Sequence, residues 1–138
     1  MKYLLDTNIL SEPLKKHPDP QVLKRFEEMQ KELATAAPVW HELHYGCRRL
    51  PRSKKRDALE KYLEKVVRPN IPVLAYDETA AEWHARQRAL LTKMGRAPSF
   101  VDGQIAAIAF VNDLTIVTRN TGDFAPFEEL SVEFWHSK

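Results

Sequence analysis

The chain has 138 residues, 43% of them hydrophobic, and 21 Lys and Arg against 19 Asp and Glu leave a net charge of +2. That is enough apolar content for one core and the size of one domain, so residues 1–138 are expected to form a single unit. The single cysteine, Cys47, excludes an internal disulfide, no run approaches the roughly 20 apolar residues of a membrane helix, and Asp6 interrupts the apolar start too early for a signal peptide, so a cytoplasmic protein is expected.

Tyr3–Leu5 reads as a buried strand ending at Asp6. Asp19-Pro20 has the form of a helix start, an Asp cap followed by Pro in the first turn, and predicts a helix over residues 21–30. Residues 33–37 suit a strand, and Pro38 opens a helix through Arg49. On it Val39, Leu43 and Leu50 mark the buried stripe, with His41, His44 and Arg48 on the wet face and Glu42 at the stripe's edge, partly desolvated. The acid-free run Arg48, Arg49, Arg52, Lys54, Lys55, Arg56 is either a solvated surface or a contact for nucleic acid.

Ser53 caps a third helix with an apolar stripe of Leu59, Tyr62, Leu63, Val66 and Val67, ended by Pro69. Ile71–Leu74 follows as a strand. Asp77 caps a helix with Ala80, Trp83, Leu90, Leu91 and Met94 on one side, stopped by Gly95, and Pro98-Ser99 starts a very apolar helix through Val111. Thr115–Thr118 and Val132–Trp135 are the last strands. Strands alternating with helices imply an α/β fold whose central sheet is mainly parallel and flanked by helices on both faces.

Sites in such sheets form at the carboxyl ends of the strands, where Asp6 and the group Thr118, Arg119, Asn120, Asp123 both fall. Each acid has a bland role by itself. Asp6 and Asp123 suit turns, and Asp102 completes a capping-box pattern with Ser99. Glu42 has Arg49 as a structural partner within reach. Together, however, Asp6, Glu42, Asp102 and Asp123 around one crevice would repel each other unless a cation held them. Hard oxygen ligands bind Mg²⁺ or Mn²⁺, and such an ion activates water and neutralises charge on a phosphodiester, with Thr118 and Asn120 orienting the ligands. The five histidines lack zinc spacing and read as surface residues, and no Walker loop, Gly-x-Ser-x-Gly elbow or Gly-rich dinucleotide turn is present.

Leu4-Leu5-Asp6-Thr7-Asn8-Ile9-Leu10, Glu42, Pro98-x-x-x-Asp102-x-x-Ile105-Ala106-Ala107 and Val117-Thr118-Arg119-Asn120-x-x-Asp123-Phe124, in that order, resemble the motifs of the PIN domain and, within it, the VapC-type toxin ribonucleases. The resemblance spans nearly the whole chain. It implies a single PIN-like domain in which Asp6, Glu42, Asp102 and Asp123 are the catalytic acids, Asp6, Asp102 and Asp123 hold the metal, and Thr118 and Asn120 support them. It further implies endonucleolytic cleavage of RNA, a homodimer, and an antitoxin that blocks the site. Asn112-Asp113 departs from the family, many of whose members have glycine there. A haloacid-dehalogenase-type phosphatase is disfavoured because Asn8 stands where that chemistry uses a second Asp as acid and base. A PIN-like RNA-binding or interaction module with a weak site is the alternative.

Overall fold

The structure, a computed structural model, describes residues 1–138. Five strands, β1 (Tyr3–Leu5), β2 (Leu33–Ala36), β3 (Val73–Leu74), β4 (Thr115–Val117) and β5 (Val132–Glu133), form one wholly parallel sheet in the order β3-β2-β1-β4-β5. All residues of β1 and β2 are buried, as an apolar strand must be when helices cover both sheet faces. The intervening helices are α1 (Thr7–Leu10), α2 (Pro20–Glu28), α3 (Ala37–Arg48), α4 (Lys54–Tyr62), α5 (Arg68–Asn70), α6 (Glu78–Lys93) and α7 (Phe100–Val111). The α/β architecture expected from the alternation is the one that forms.

Helix starts follow the cap chemistry of the sequence. Asp19 accepts the Gln21 and Val22 N–H groups, and Ser53, Asp77 and Ser99 accept those of Arg56, Ala80 and Asp102. Three expectations need correcting. The third helix does not end at Pro69: α4 widens into a π turn over Leu63–Val67 and continues as α5, where Pro69 falls in a first turn that needs no proline N–H. Val66 is exposed instead of packing in that helix's stripe. On α6 the inward side is Ala80, Trp83, His84 and Leu91, while Leu90 and Met94 stand about half exposed. The inward stripe thus includes a histidine and leaves two large apolar residues in solvent.

Asp113 occupies the left-handed region with φ 56°. An Asp tolerates that conformation better than most side chains, and the Leu114 N–H still closes on the Ala109 carbonyl at 2.8 Å, so the turn from α7 into β4 is kept.

Chain order steps outward from β1 through β2 to β3 on one side, and through β4 to β5 on the other. The carboxyl ends of β1 and β4 therefore flank the switch point, where an open parallel sheet leaves a crevice. Farther along, residues 136 and 137 are tied to the loop after α1. The buried Glu12 carboxylate meets His136 Nε2 at 3.0 Å, Lys15 Nζ at 3.0 Å and the Asp19 N–H at 2.9 Å, and Asp19 in turn accepts the Ser137 N–H and hydroxyl at 2.8 and 2.9 Å.

Candidate active site

Asp6 leaves β1 with its N–H bonded to the Val117 carbonyl, so the carboxylate is anchored directly beside the end of β4. One oxygen accepts the Thr7 N–H at 2.8 Å as the cap of α1, and the other accepts the Thr118 hydroxyl proton at 2.8 Å. Thr118 is fully buried. Its oxygen also receives the Asn120 backbone N–H at 3.1 Å and the Asn8 amide at 3.4 Å, and Asn8 Oδ1 accepts the Arg119 N–H at 3.0 Å. The Asp6 carboxylate is thus held in one orientation by the start of α1 on one side and the segment after β4 on the other.

Asp102 sits in the first turn of α7, half-buried, with its N–H on the Ser99 hydroxyl. Asp123 is exposed on the short 3-10 turn Thr121–Phe124. Burial raises the Asp6 carboxyl above its ordinary value and outweighs the Thr7 and Thr118 bonds that favour its charge, and the negative charge of Asp123 adds to the rise. Burial likewise raises Asp102, with Ser99 pulling the other way and the charges of Asp123 and Asp6 pushing further up. The three carboxylates therefore feel each other across the crevice. None of them is in an ion pair.

Glu42 stands differently. It lies on α3, which packs against α1 and α7, but it is exposed instead of partly desolvated, it makes no pair with Arg49, and its charge is not among those that shift Asp6 or Asp102. His44, expected on the wet face, is half-buried and packs edge-on against Trp40 with ring centroids 4.4 Å apart. The histidines are not all surface residues either, because His84 and His136 are buried. Of the supporting pair, Thr118 orients Asp6 directly, whereas Asn120 contributes its backbone N–H. Asn8 is the supporting residue that sequence reasoning passed over, and its place two residues after Asp6, at the mouth of the crevice, was the available signal. The basic run is also divided: Arg56 is bound to Glu60 at 3.0 Å and to the Leu50 carbonyl at 3.2 Å, while Arg48, Arg49, Arg52, Lys54 and Lys55 are exposed.

As they stand, no three acidic, histidine or cysteine side chains converge closely enough to enclose an ion. The donor set is nonetheless entirely carboxylate oxygen with uncompensated charge, which suits a hard divalent ion. Mg²⁺ keeps several waters and needs only one or two carboxylates, so a closed protein cage is not required.

The sequence pattern of the PIN domain matches residues 3–130. Toxin FitB of Neisseria gonorrhoeae is 32% identical over 96% of this chain and 98% of its own length. A tRNA(fMet)-specific endonuclease VapC of Shigella flexneri is also 32% identical, over 98% of both chains. Among solved structures, one of FitAB bound to an IR36 DNA fragment contains a chain that superposes with a TM-score of 0.86 at 30% identity, covering 99% of this chain and 97% of that one.

Proposed function

Since the chain belongs to the PIN-domain family, we propose that it is a divalent-metal-dependent endoribonuclease and the toxin of a toxin–antitoxin pair. The observation that carries the reading is the group Asp6, Asp102 and Asp123, three mutually repelling carboxylates without a cationic partner at the switch point of a parallel sheet. The ribonuclease and toxin names of relatives matched over almost their full length support the choice of RNA and of an antitoxin as partner. Asp6 and Asp102 would hold Mg²⁺ or Mn²⁺ with Asp123, and Glu42, exposed on α3, would be the fourth acid of the set.

When bound, the ion would supply a nucleophilic water at neutral pH and neutralise charge developing on phosphorus. The chain's own part is positioning. Thr118 and the Thr7 N–H fix both Asp6 oxygens, and Asn8 and Asn120 fix Thr118, so the carboxylate is preorganised. The low-dielectric surroundings that raise Asp6 and Asp102 also strengthen their attraction for a cation. The concentrated negative charge suits a basic side chain from an inhibitory partner, and a homodimer is part of the same proposal.

The test is cleavage of single-stranded RNA by purified protein, with Mg²⁺ or with EDTA. Cleavage is expected only with the metal and is nearly abolished in Asp6→Asn and Asp102→Asn. Cleavage that continues in EDTA, or that survives both substitutions, overturns the metal-nuclease reading, and RNA binding without cleavage would mark a binding module.

A further inference from the structure

We propose that Phe100 is a stacking platform for one unpaired base of single-stranded RNA, with Arg88 beneath it as the cation that meets the neighbouring phosphate; this rests on the ribonuclease reading above.

Phe100 is the first residue of α7 and lies two residues before Asp102, yet half of its surface is open to solvent. Leaving a phenyl ring in water forfeits the stabilisation that burial would bring, and the ring is nevertheless held in place from within the protein. The buried His84 ring packs against it with centroids 4.9 Å apart, and the Arg88 guanidinium carbon lies 5.1 Å from its centroid. His84 and Arg88 are one turn apart on α6, and the Tyr76 hydroxyl meets His84 Nδ1 at 2.8 Å, so the support is itself fastened. An aromatic ring already fixed loses little conformational freedom when it receives a ligand.

The chemistry around the ring selects the occupant. Arg88 has no acidic partner, and the first-turn N–H groups of α7 add partial positive charge. A flat apolar face beside a guanidinium that has no acidic partner matches a base and its phosphate better than it matches an apolar protein surface, for which such an arginine is costly to bury. Stacking uses the π-face that every base has, so the platform binds without reading sequence.

Binding of a short fluorescein-labelled single-stranded oligoribonucleotide, followed by anisotropy in EDTA, tests this. Phe100→Ala is expected to weaken binding by roughly 5- to 150-fold, the range for losing one stacked base, and Phe100→Leu by nearly as much because it keeps the apolar bulk without the π-face. Phe100→Trp should keep the affinity, and its emission should be quenched when the oligonucleotide is added. An abasic nucleotide at the stacked position should weaken binding to the wild type but not to Phe100→Ala. Equal affinity of wild type and Phe100→Ala, with cleavage intact, overturns the platform alone. A Phe100→Ala protein that binds RNA normally but sediments differently makes the ring a contact between copies or with another protein. A wild type that neither binds nor cleaves RNA overturns the ribonuclease reading and the platform with it.

Discussion

At the scale of single residues, the Thr118 hydroxyl gives its one proton to Asp6 and receives two N–H groups on its oxygen. Thr118→Val keeps the shape and removes all three bonds, one of them to a charged group, so unfolding free energy should fall by about 1.5 to 3 kcal/mol in denaturant melts. Thr118→Ser should restore most of the loss. Asp102 allows a sharper test, because its helix-capping and site roles predict opposite signs. Its carboxyl is raised from 3.8, by burial and then by Asp123 and Asp6. A carboxylate with a folded value above its unfolded one costs stability as pH rises from the unfolded value through the raised one. Asp102→Asn should therefore melt higher than wild type in EDTA near neutral pH, and the gain should vanish below about pH 3.8. In millimolar Mg²⁺ the order should reverse, since the ion stabilises only the protein that binds it well. A mutant less stable by the same amount in both buffers would leave Asp102 as a cap worth roughly 0.3 to 1 kcal/mol.

At the scale of elements, α6 and α7 meet at Gly103, next to Asp102, where a Cβ would lie 2.1 Å from His84 Nε2. The imidazole cannot swing away cheaply, because it is buried and bonded to Tyr76. Gly103→Ala should cost about 1 to 3 kcal/mol by overpacking, and adding His84→Ala should recover part of it, a coupling that a double-mutant cycle measures. Such contacts also mark where sequence reading stopped. The caps Asp19, Ser53, Asp77 and Ser99 act on neighbours a few residues away, and the apolar runs ending at Asp6 and Thr118 show their burial directly, so most elements and the placing of the acids at strand ends could be read. The four-residue α1 has too few positions to show a period. Asn8 finds Thr118 across 110 residues of chain, and nothing local announces it. The partial burial expected of Glu42 does not form, because the edge of the α3 stripe depends on how α1 and α7 cover it. His84 and His136 went unrecognised as buried for the same reason: their partners lie on other elements or at the far end of the chain.

At the scale of the molecule, the tie of Glu12 to His136 and of the neighbouring Asp19 to Ser137 spans nearly the whole chain and should dominate acid sensitivity. Burial of Glu12 opposes its charge, but the Asp19 N–H, Lys15 and His136 outweigh it and hold the carboxyl down to about 2 from an ordinary 4.5. A lowered carboxylate contributes stability above its unfolded value and loses it as pH falls toward the folded one, so this contribution should fade between about pH 4.5 and 2. Glu12→Gln should be less stable than wild type at pH 7, and melts of the two should converge toward pH 2; a constant difference over that range would deny the ion pair its role. The two outer strands of the sheet have a consequence of another kind. β3 and β5 are two residues long, so each rim exposes hardly any unpaired backbone N–H and C=O groups. Long bare rims invite extra strands, whether from stacked copies in an aggregate or from an extended peptide. This protein offers neither a template for fibre growth nor a rail for strand addition, so the inhibitory partner proposed for it would gain its hold from side chains laid against the helices.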